Sequence, residues 1–393
     1  MRLSGRLSPR LGDAALALWF LAWSAVRLYQ LGVGPAGWET AWFGSDFRIY
    51  RNAALALLGG GDPWSASSPW AGREWHFAAP PIAAQAFVPF ALLPELPALA
   101  LYTLGSLVLA LAALRALRLP PWWLLFPPLV EGLAAGNPQI PVFGLLVAGA
   151  RSGSAGRLPI PVAAGRAIAV GLKVYAAIPI LARREWRAAG AAGAVLAGSV
   201  AAAPGLWLEY AARFGEIGAR LARESVGGVS AALLLDPAVF GPLLPDPGLA
   251  LAAGLALYGL IAGLVVLVAV RDVPSAGWLA VPLLWPAAEY HYATFALPIA
   301  RRLAIWIVAA ATVPTYLLGS IVLAYEVAAG RRAIVPEDRP VGVAEWLASL
   351  PPIALLRRRA GSPADSVAGS LPDASSMTGT EVTLDGTGRP SGS

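Results

Sequence analysis

The sequence contains no cysteine and only two histidines, His76 and His291. The absence of cysteine excludes disulfide bonds and thiolate metal sites, and two histidines are too few for a metal site built from several of them. The chain also has no P-loop, no GxGxxG before a helix, no GxSxG, no HExxH and no DxD motif. It therefore carries none of the common signatures of soluble enzymes.

Charge is scarce as well: 13% of the 393 residues are charged and 57% are hydrophobic, with a mean hydropathy of +0.63. A soluble domain carries about a quarter charged residues. A chain this poor in charge cannot cover a soluble surface, so we expect a multi-pass membrane protein. The net charge of +6 does not indicate nucleic-acid binding, because most arginines lie between apolar segments, as the positive-inside rule predicts.

Lysine is almost missing, since Lys173 is the single lysine and the other 28 of the 29 Lys and Arg residues are arginine. The richness in alanine, glycine, proline and arginine suggests a GC-rich genome, in which arginine replaces lysine wherever either serves. A lysine that remains inside an apolar segment is therefore a candidate functional residue. Its structural alternative is a pairing with Glu131.

Apolar segments that suit a bilayer crossing of about 20 residues recur along the chain. We predict an all-α bundle of about ten transmembrane helices, with a cytoplasmic N-terminus because Arg2, Arg6 and Arg10 precede the first span. The second, fourth and fifth spans are short, and are either re-entrant or have misplaced boundaries. The predicted spans are 13–32, 81–95, 97–114, 121–135, 138–150, 158–181, 188–205, 249–270, 275–297 and 303–328.

In this topology residues 1–330 form one transmembrane domain, with two long loops, 33–80 and 206–248, on the outer face. Each loop contains an amphipathic helical pattern of the kind that lies in a membrane interface. These helices either close the bundle or shape a site between lipid and water. The apolar stripes are Phe47, Tyr50, Ala54 and Leu57 in the first loop and Trp207, Tyr210, Phe214, Ile217 and Leu221 in the second, where Glu209–Arg213 and Glu216–Arg220 are i,i+4 pairs. Residues 331–393 are predicted as a cytoplasmic tail, disordered from about 360.

Polar residues interrupt the apolar pattern near the ends of several spans. Asp46 precedes the first interfacial helix, and its simplest interpretation is a helix cap. Residues 61–64 predict a turn that contains Asp62, and Pro81 suits the first turn of a helix. Residues 136–139, Gly-Asn-Pro-Gln, predict a break that is tolerated at membrane depth only against protein or water.

Two further positions lie within predicted spans. Arg166 precedes Lys173 by seven residues on the same helix face, which places Arg166 nearer the outer half of span 158–181, where it could contact phosphate, and Lys173 nearer its inner end. Lys173 is then either a structural buried cation, or the helix is broken and the site reaches deeper. Glu289 and His291 belong to an aromatic-rich stretch at the outer end of the ninth span. A histidine there is also compatible with an ordinary hydrogen-bonded interface residue among belt aromatics.

Taken in order, these segments resemble glycosyltransferase family 87, the polyprenol-phosphate-dependent membrane enzymes with a GT-C fold that include bacterial mannosyltransferases. The resemblance spans about 10–330. Residues 46–50 match an Asp-Phe-x-x-Tyr element, and residues 60–64 match a Gly-x-Asp-Pro-aromatic turn. Further matches are the prolines at 80–81 with 89–94, the Gly-Asn pair at 136–137, Lys173 before the arginine-rich 183–187, and 286–292.

The resemblance implies transfer of a sugar, with mannose ahead of arabinofuranose, from a polyprenyl-phosphate donor to a hydroxyl of a lipid or glycan. It places the protein in a bacterial inner membrane with an active site on the outer face, and implies no cofactor, metal or nucleic acid. We expect Asp46 to be the general base of an inverting reaction and His291 to hold the donor phosphate or the acceptor hydroxyl. The residues expected to bind substrate are Arg48, Tyr50, Asp62, Asn137, Gln139, Arg166, Lys173, Glu289 and Tyr292.

Two other classes of protein remain open at this point. A transporter or lipid flippase would suit the basic residues inside a span and the broken segment at 136–139, although no inverted repeat is evident. A non-catalytic protein of envelope assembly is the third class. Solute uptake without sugar transfer would favour the transporter, and absence of both activities would favour the assembly role.

Overall fold

The computed structural model describes residues 9–30, 43–70, 73–148, 158–224, 234–285, 288–299, 313–329, 343–348 and 350. Within these ranges the chain is mostly helical, which confirms the predicted class. The sheet that they contain is a two-stranded antiparallel hairpin of β1, Ser67–Trp70, and β2, Arg73–His76, in which Ser67 pairs with His76 and Trp70 with Arg73.

Fifteen α-helices lie within the described ranges, joined by short 3-10 segments at Pro63–Ser65, Pro121–Leu125, Val174–Ala176 and Tyr290–Ala296. The helices are α1 Pro9–Gln30, α2 Ser45–Leu58, α3 Pro81–Ala91, α4 Glu95–Ala116, α5 Pro127–Ala135, α6 Gln139–Val147, α7 Ile160–Leu172, α8 Ala177–Ala182, α9 Trp186–Ala202, α10 Pro204–Glu224, α11 Pro237–Phe240, α12 Pro247–Arg271, α13 Val273–Leu284, α14 Val313–Ala328 and α15 Val343–Ala348.

Helices α4 and α12 are the two in the described part of the chain that are long and apolar enough to cross a membrane alone. Helix α9 and the first part of α10 reach that length together, but the chain bends by 100° between them. The predicted count of about ten spans is therefore not confirmed. Several predicted spans consist of shorter helices that stop at a break.

One such break separates α5 from α6, at the Gly136-Asn137-Pro138 tip, and confirms the break predicted at 136–139. Gly136 has a φ of 66°, and a Cβ there would lie 2.8 Å from the Cβ of Phe47 in α2. The backbone N–H of Gly44 donates to the carbonyl of Ala134 at 2.7 Å. The tip thus packs directly against the start of α2, an approach that only glycine permits.

A second break lies at Lys173, between α7 and α8, where the backbone is extended. Beyond α8, Arg187 Nη1 donates to the carbonyl of Leu158, which precedes α7, at 3.3 Å. Arg166 in α7 forms an ion pair with Glu185 in the same returning segment. The two ends of 158–187 therefore lie together and Lys173 lies at the turn, so the prediction that 158–181 crosses the membrane once is wrong.

The helices predicted within the two long loops are present as α2 and α10, and the two loops contact each other. The ring of Trp64 stacks on that of Tyr210, with centroids 5.7 Å apart. Arg213 Nη1 lies 2.8 Å from Asp62 Oδ2, and Arg220 Nη2 donates to the carbonyl of Trp64 at 2.9 Å. Helix α10 is thereby fixed to the turn that precedes β1.

The predicted faces of these helices are only partly correct. In α2, Phe47, Tyr50 and Ala54 are buried as expected. In α10, Ile217 is buried, but Phe214 is 62% exposed and so lies outside the buried stripe. The Glu209–Arg213 pair is formed, with 3.1 Å between Arg213 Nη1 and Glu209 Oε1.

Most of the predicted tail, 331–393, including the part expected to be disordered from about 360, lies outside the described residues. Helix α15 is the longest described piece of it. Trp346 Nε1 in this helix donates to the carbonyl of Leu181 in α8 at 3.1 Å.

The contact between Gly136 and Phe47 can be separated from the strain of a left-handed backbone. Gly60 has a φ of 71°, but a Cβ there would meet no atom within 4 Å. We expect Gly60→Ala to lower the free energy of unfolding by about 1–2 kcal/mol, the cost of the conformation alone. Gly136→Ala adds overpacking of about 1–3 kcal/mol. Thermal unfolding of both variants in detergent measures the difference, and equal losses would contradict the packing argument.

The Arg166–Glu185 pair predicts a stability effect rather than an effect on substrate binding. Both side chains are almost completely buried. We expect Arg166→Met to cost about 3–5 kcal/mol, because it leaves the Glu185 carboxylate buried with one partner fewer. The control is Arg48→Met, which breaks the more exposed Arg48–Glu95 pair and should cost about 0–1 kcal/mol. Equal thermal shifts in Arg166→Met and Arg48→Met would contradict this interpretation. So would a double variant, Arg166→Met/Glu185→Leu, that is no more stable than Arg166→Met.

Candidate functional site

Breaks in the helical structure converge on the first turn of α2. From the tip between α5 and α6, Asn137 Nδ2 donates to Asp46 Oδ2 at 2.6 Å. From the turn between α7 and α8, Lys173 Nζ lies 5.2 Å from the ring centroid of Tyr50. Glu289, between α13 and the 3-10 helix, interacts electrostatically with both Asp46 and Lys173. Polar groups from three separate segments therefore lie around the carboxylate of Asp46.

Asp46 lies in the first turn of α2 but does not cap it. The N-cap residue is Gly44, with a φ of 73° and no side-chain capping bond, so the cap interpretation is wrong. The Asp46 side chain is partly accessible and directed at Asn137. Burial raises the pKa of Asp46, while the hydrogen bond from Asn137 and the positive charge of Lys173 act in the opposite direction.

Lys173 lies near enough to Asp46 to interact with it electrostatically, because the chain reverses at its position. It interacts electrostatically with Tyr50, Tyr292 and Glu289. Its structural alternative, a pairing with Glu131, is wrong, since that carboxylate lies 2.6 Å from Arg27 Nε. The nearby Glu289 carboxylate favours the charged form of the Lys173 ammonium.

Arg166 lies away from this group. Seven helical residues separate it from Lys173, about 10 Å along the axis, and its partner is Glu185. The sequence-based placement, with Arg166 nearer the site than Lys173, is therefore reversed. The breaking of the helix at Lys173 accounts for the difference.

His291 joins the site through Glu289. Its side chain is 2% exposed, and its Nε2 lies 3.4 Å from Glu289 Oε2. The ring of Tyr292 lies 5.1 Å from that of His291, and 5.0 Å from that of Tyr175. The aromatic stretch at 290–292 is thus packed inside the protein rather than arranged as an exposed belt.

Gln139 contacts Asn137 and two further polar residues near the site. Its backbone N–H donates to Asn137 Oδ1 at 2.8 Å and its Nε2 donates to Thr294 Oγ1 at 3.1 Å. The hydroxyl of Tyr175 donates to its Oε1. Thr294 and Tyr175 were missed by sequence reasoning, because their partner lies 155 and 36 residues away and no local pattern marks them.

Two other residues expected to bind substrate are engaged elsewhere. Arg48 Nε lies 2.7 Å from Glu95 Oε1, and its Nη1 donates to the carbonyl of Phe43. Asp62 accepts the backbone N–H of Trp64 at 2.8 Å, which confirms the predicted turn, and pairs with Arg213. The structure thus groups Asp46, Tyr50, Asn137, Gln139, Lys173, Glu289, His291 and Tyr292, and leaves Arg48, Asp62 and Arg166 outside.

The group combines the carboxylates of Asp46 and Glu289 with the ammonium of Lys173. Among the described residues, no three histidine, aspartate or glutamate side chains are placed to hold a metal ion. Lys173, next to the phenol of Tyr50, provides a positive charge that a phosphate would neutralise.

The model of glycosyltransferase family 87 matches residues 77–286, more than half of the chain. The match contains Asn137, Gln139 and Lys173, whereas Asp46 and Glu289 lie on either side of it. No curated protein and no solved structure matches the sequence. Together with its apolar helices, the family match identifies the chain as a membrane glycosyltransferase that belongs to glycosyltransferase family 87.

Proposed function

We propose that the protein transfers a sugar, mannose first among the candidates, from a polyprenyl-phosphate donor to a hydroxyl of a lipid or glycan. In this proposal the fold is of the GT-C type, the membrane is the bacterial inner membrane, and the site faces outside. The observation that carries the proposal is the convergence of Asn137, Lys173 and Glu289 on the partly accessible carboxylate of Asp46.

The chemistry of this reaction needs few groups. The acceptor oxygen forms a bond to the anomeric carbon while the bond between that carbon and the phosphate oxygen breaks, which releases polyprenyl phosphate. The acceptor proton passes to Asp46, so one carboxylate serves as general base. Attack from the face opposite the phosphate inverts the anomeric centre. The leaving phosphate is already anionic and needs a cation or hydrogen-bond donors rather than an acid.

Lys173 is the group that we assign to the leaving phosphate. Its position at a chain turn next to Tyr50 and near Asp46 supports this role, which its predicted place in an unbroken span did not. His291 keeps the role of holding the donor phosphate or the acceptor hydroxyl, now beside Glu289. Tyr50 and Tyr292 both interact electrostatically with the ammonium, and we assign them to substrate binding as well.

Removal of the base should abolish transfer without unfolding the protein. Asp46→Asn keeps the size of the side chain, and we expect the rate to fall by about 10²–10⁴-fold, the usual contribution of a general base. The measurement is transfer of radiolabelled sugar from polyprenyl-phosphate mannose in membranes that express each variant. Glu74→Gln, which removes a carboxylate from β2, is the matched control and should transfer at the rate of the unmodified protein. Normal transfer by Asp46→Asn would remove Asp46 as base.

Lys173 should contribute to the rate rather than to stability. We expect Lys173→Gln to lower kcat by about 10²–10³-fold, because charge develops on the phosphate in the transition state. Lys173→Arg keeps the positive charge and should retain part of the rate. The activity is expressed per folded molecule, with folding followed by thermal unfolding in detergent. If Lys173→Gln unfolds more easily but keeps its rate per folded molecule, Lys173 is a structural cation.

A further inference from the structure

The side-chain amide of Asn137 has a single orientation that satisfies both of its contacts. The backbone N–H of Gln139 can only donate, so the Asn137 atom 2.8 Å away from it must be the oxygen. The amide nitrogen then faces Asp46 Oδ2 at 2.6 Å. The direction of the second hydrogen bond is therefore fixed by the first, and does not depend on how the amide atoms are named.

The polar groups of Asn137 are already engaged by the protein. Both ends of its side-chain amide have a protein partner, and its backbone N–H donates to the carbonyl of Gly132 at 2.9 Å. Its neighbour Gln139 is completely buried and held by the hydroxyls of Thr294 and Tyr175. The hydrogen bonds of this tip are directed inward, and the one toward the site ends on Asp46.

We propose that Asn137 is a positioning residue that holds the Asp46 carboxylate in place and favours its ionised form, instead of the substrate-binding role expected from the sequence. The inference rests on the proposed role of Asp46 as general base. A fixed carboxylate oxygen leaves the other oxygen to accept the acceptor proton. An amide does not titrate, so this donor is present at every pH at which the enzyme works.

The surrounding charges explain why such a donor matters. Burial and nearby carboxylates disfavour the ionised form of Asp46, and Lys173 favours it. In the proposed reaction the charge of Lys173 is shared with the donor phosphate, whereas the hydrogen bond from Asn137 stays on Asp46. In the described part of the chain, the titratable groups that interact with Asp46 are Lys173, Tyr50, Tyr102, Glu131 and Glu289.

The first test needs no sugar donor. The carboxyl stretching band of Asp46, identified by its loss in Asp46→Asn, is titrated by infrared difference spectroscopy in the purified full-length protein in detergent. Asn137→Ala removes the donor that favours the ionised form, so the pKa of Asp46 rises and the midpoint moves to higher pH. The control is Gln139→Ala, which removes side-chain contacts of the same tip but keeps the backbone N–H, and should leave the midpoint in place. An unchanged midpoint in Asn137→Ala overturns the inference.

The second test is kinetic and separates positioning from binding. We expect Asn137→Ala to lower kcat at neutral pH by roughly 10- to 100-fold, the size of a lost hydrogen bond to a charged group. The acid limb of its pH profile should move to higher pH, with the KM values for donor and acceptor unchanged. A raised KM with an unmoved acid limb shows that Asn137 binds substrate and overturns the inference.

The two tests also distinguish this inference from the proposed function. Full transfer by Asp46→Asn would overturn Asp46 as base, whereas the infrared titration would still report whether Asn137 controls the carboxylate. Thermal unfolding of Asn137→Ala and Gln139→Ala in detergent accounts for any loss of folded protein, because a purely structural residue would lower stability without moving either titration.

Discussion

The hydrogen bond from Asn137 to Asp46 joins two segments that are 91 residues apart in the chain, and the arrangement of the site depends on it. It forms only because the tip between α5 and α6 approaches the start of α2 closely. Gly136 permits that approach through its positive φ and missing side chain. The hydrogen bond from the Gly44 N–H to the carbonyl of Ala134 holds the two segments together. A side chain at Gly136 would separate the two segments, and the carboxylate of Asp46 would lose the hydrogen bond from Asn137.

Breaks in helices are costly in an apolar environment, because each leaves backbone groups without partners. At the break between α5 and α6, the N–H of Gln139 is satisfied by the Asn137 side chain of the same break. The Gln139 side chain also hydrogen-bonds with Tyr175, which follows the break at Lys173, and with Thr294 in the 3-10 helix that follows α13. The breaks that shorten the predicted spans therefore also contribute residues to the polar site.

The sequence predicts the elements of this arrangement better than their placement. Composition and apolar patterning are enough for the helical membrane class, the break at 136–139 and the choice of Lys173, because each depends on local residue types. The choice of Asp46 depends on the family resemblance, since the local pattern alone favoured a helix cap. The reversal at Lys173 is not predictable in this way. Apolar residues continue on both sides of it, and the contacts that show the reversal, Arg187 with Leu158 and Arg166 with Glu185, join positions distant in the sequence. Span length alone favoured a single crossing, which placed Arg166 nearer the site than Lys173, the reverse of the arrangement in the structure.

The different surroundings of Arg166 and Lys173 explain why these two positions hold different basic residues. Arg166 is completely buried against a carboxylate, and a guanidinium, which is weakly hydrated and has several donors in one plane, suits a permanent buried pair. Lys173 faces phenol rings and carboxylates at a turn, with a compact charge on a flexible stem. An ammonium of this kind can turn from Tyr50 toward an incoming phosphate without breaking a planar pair. In a chain in which 28 of the 29 Lys and Arg residues are arginine, the single lysine lies where a charge changes partners in the proposed reaction.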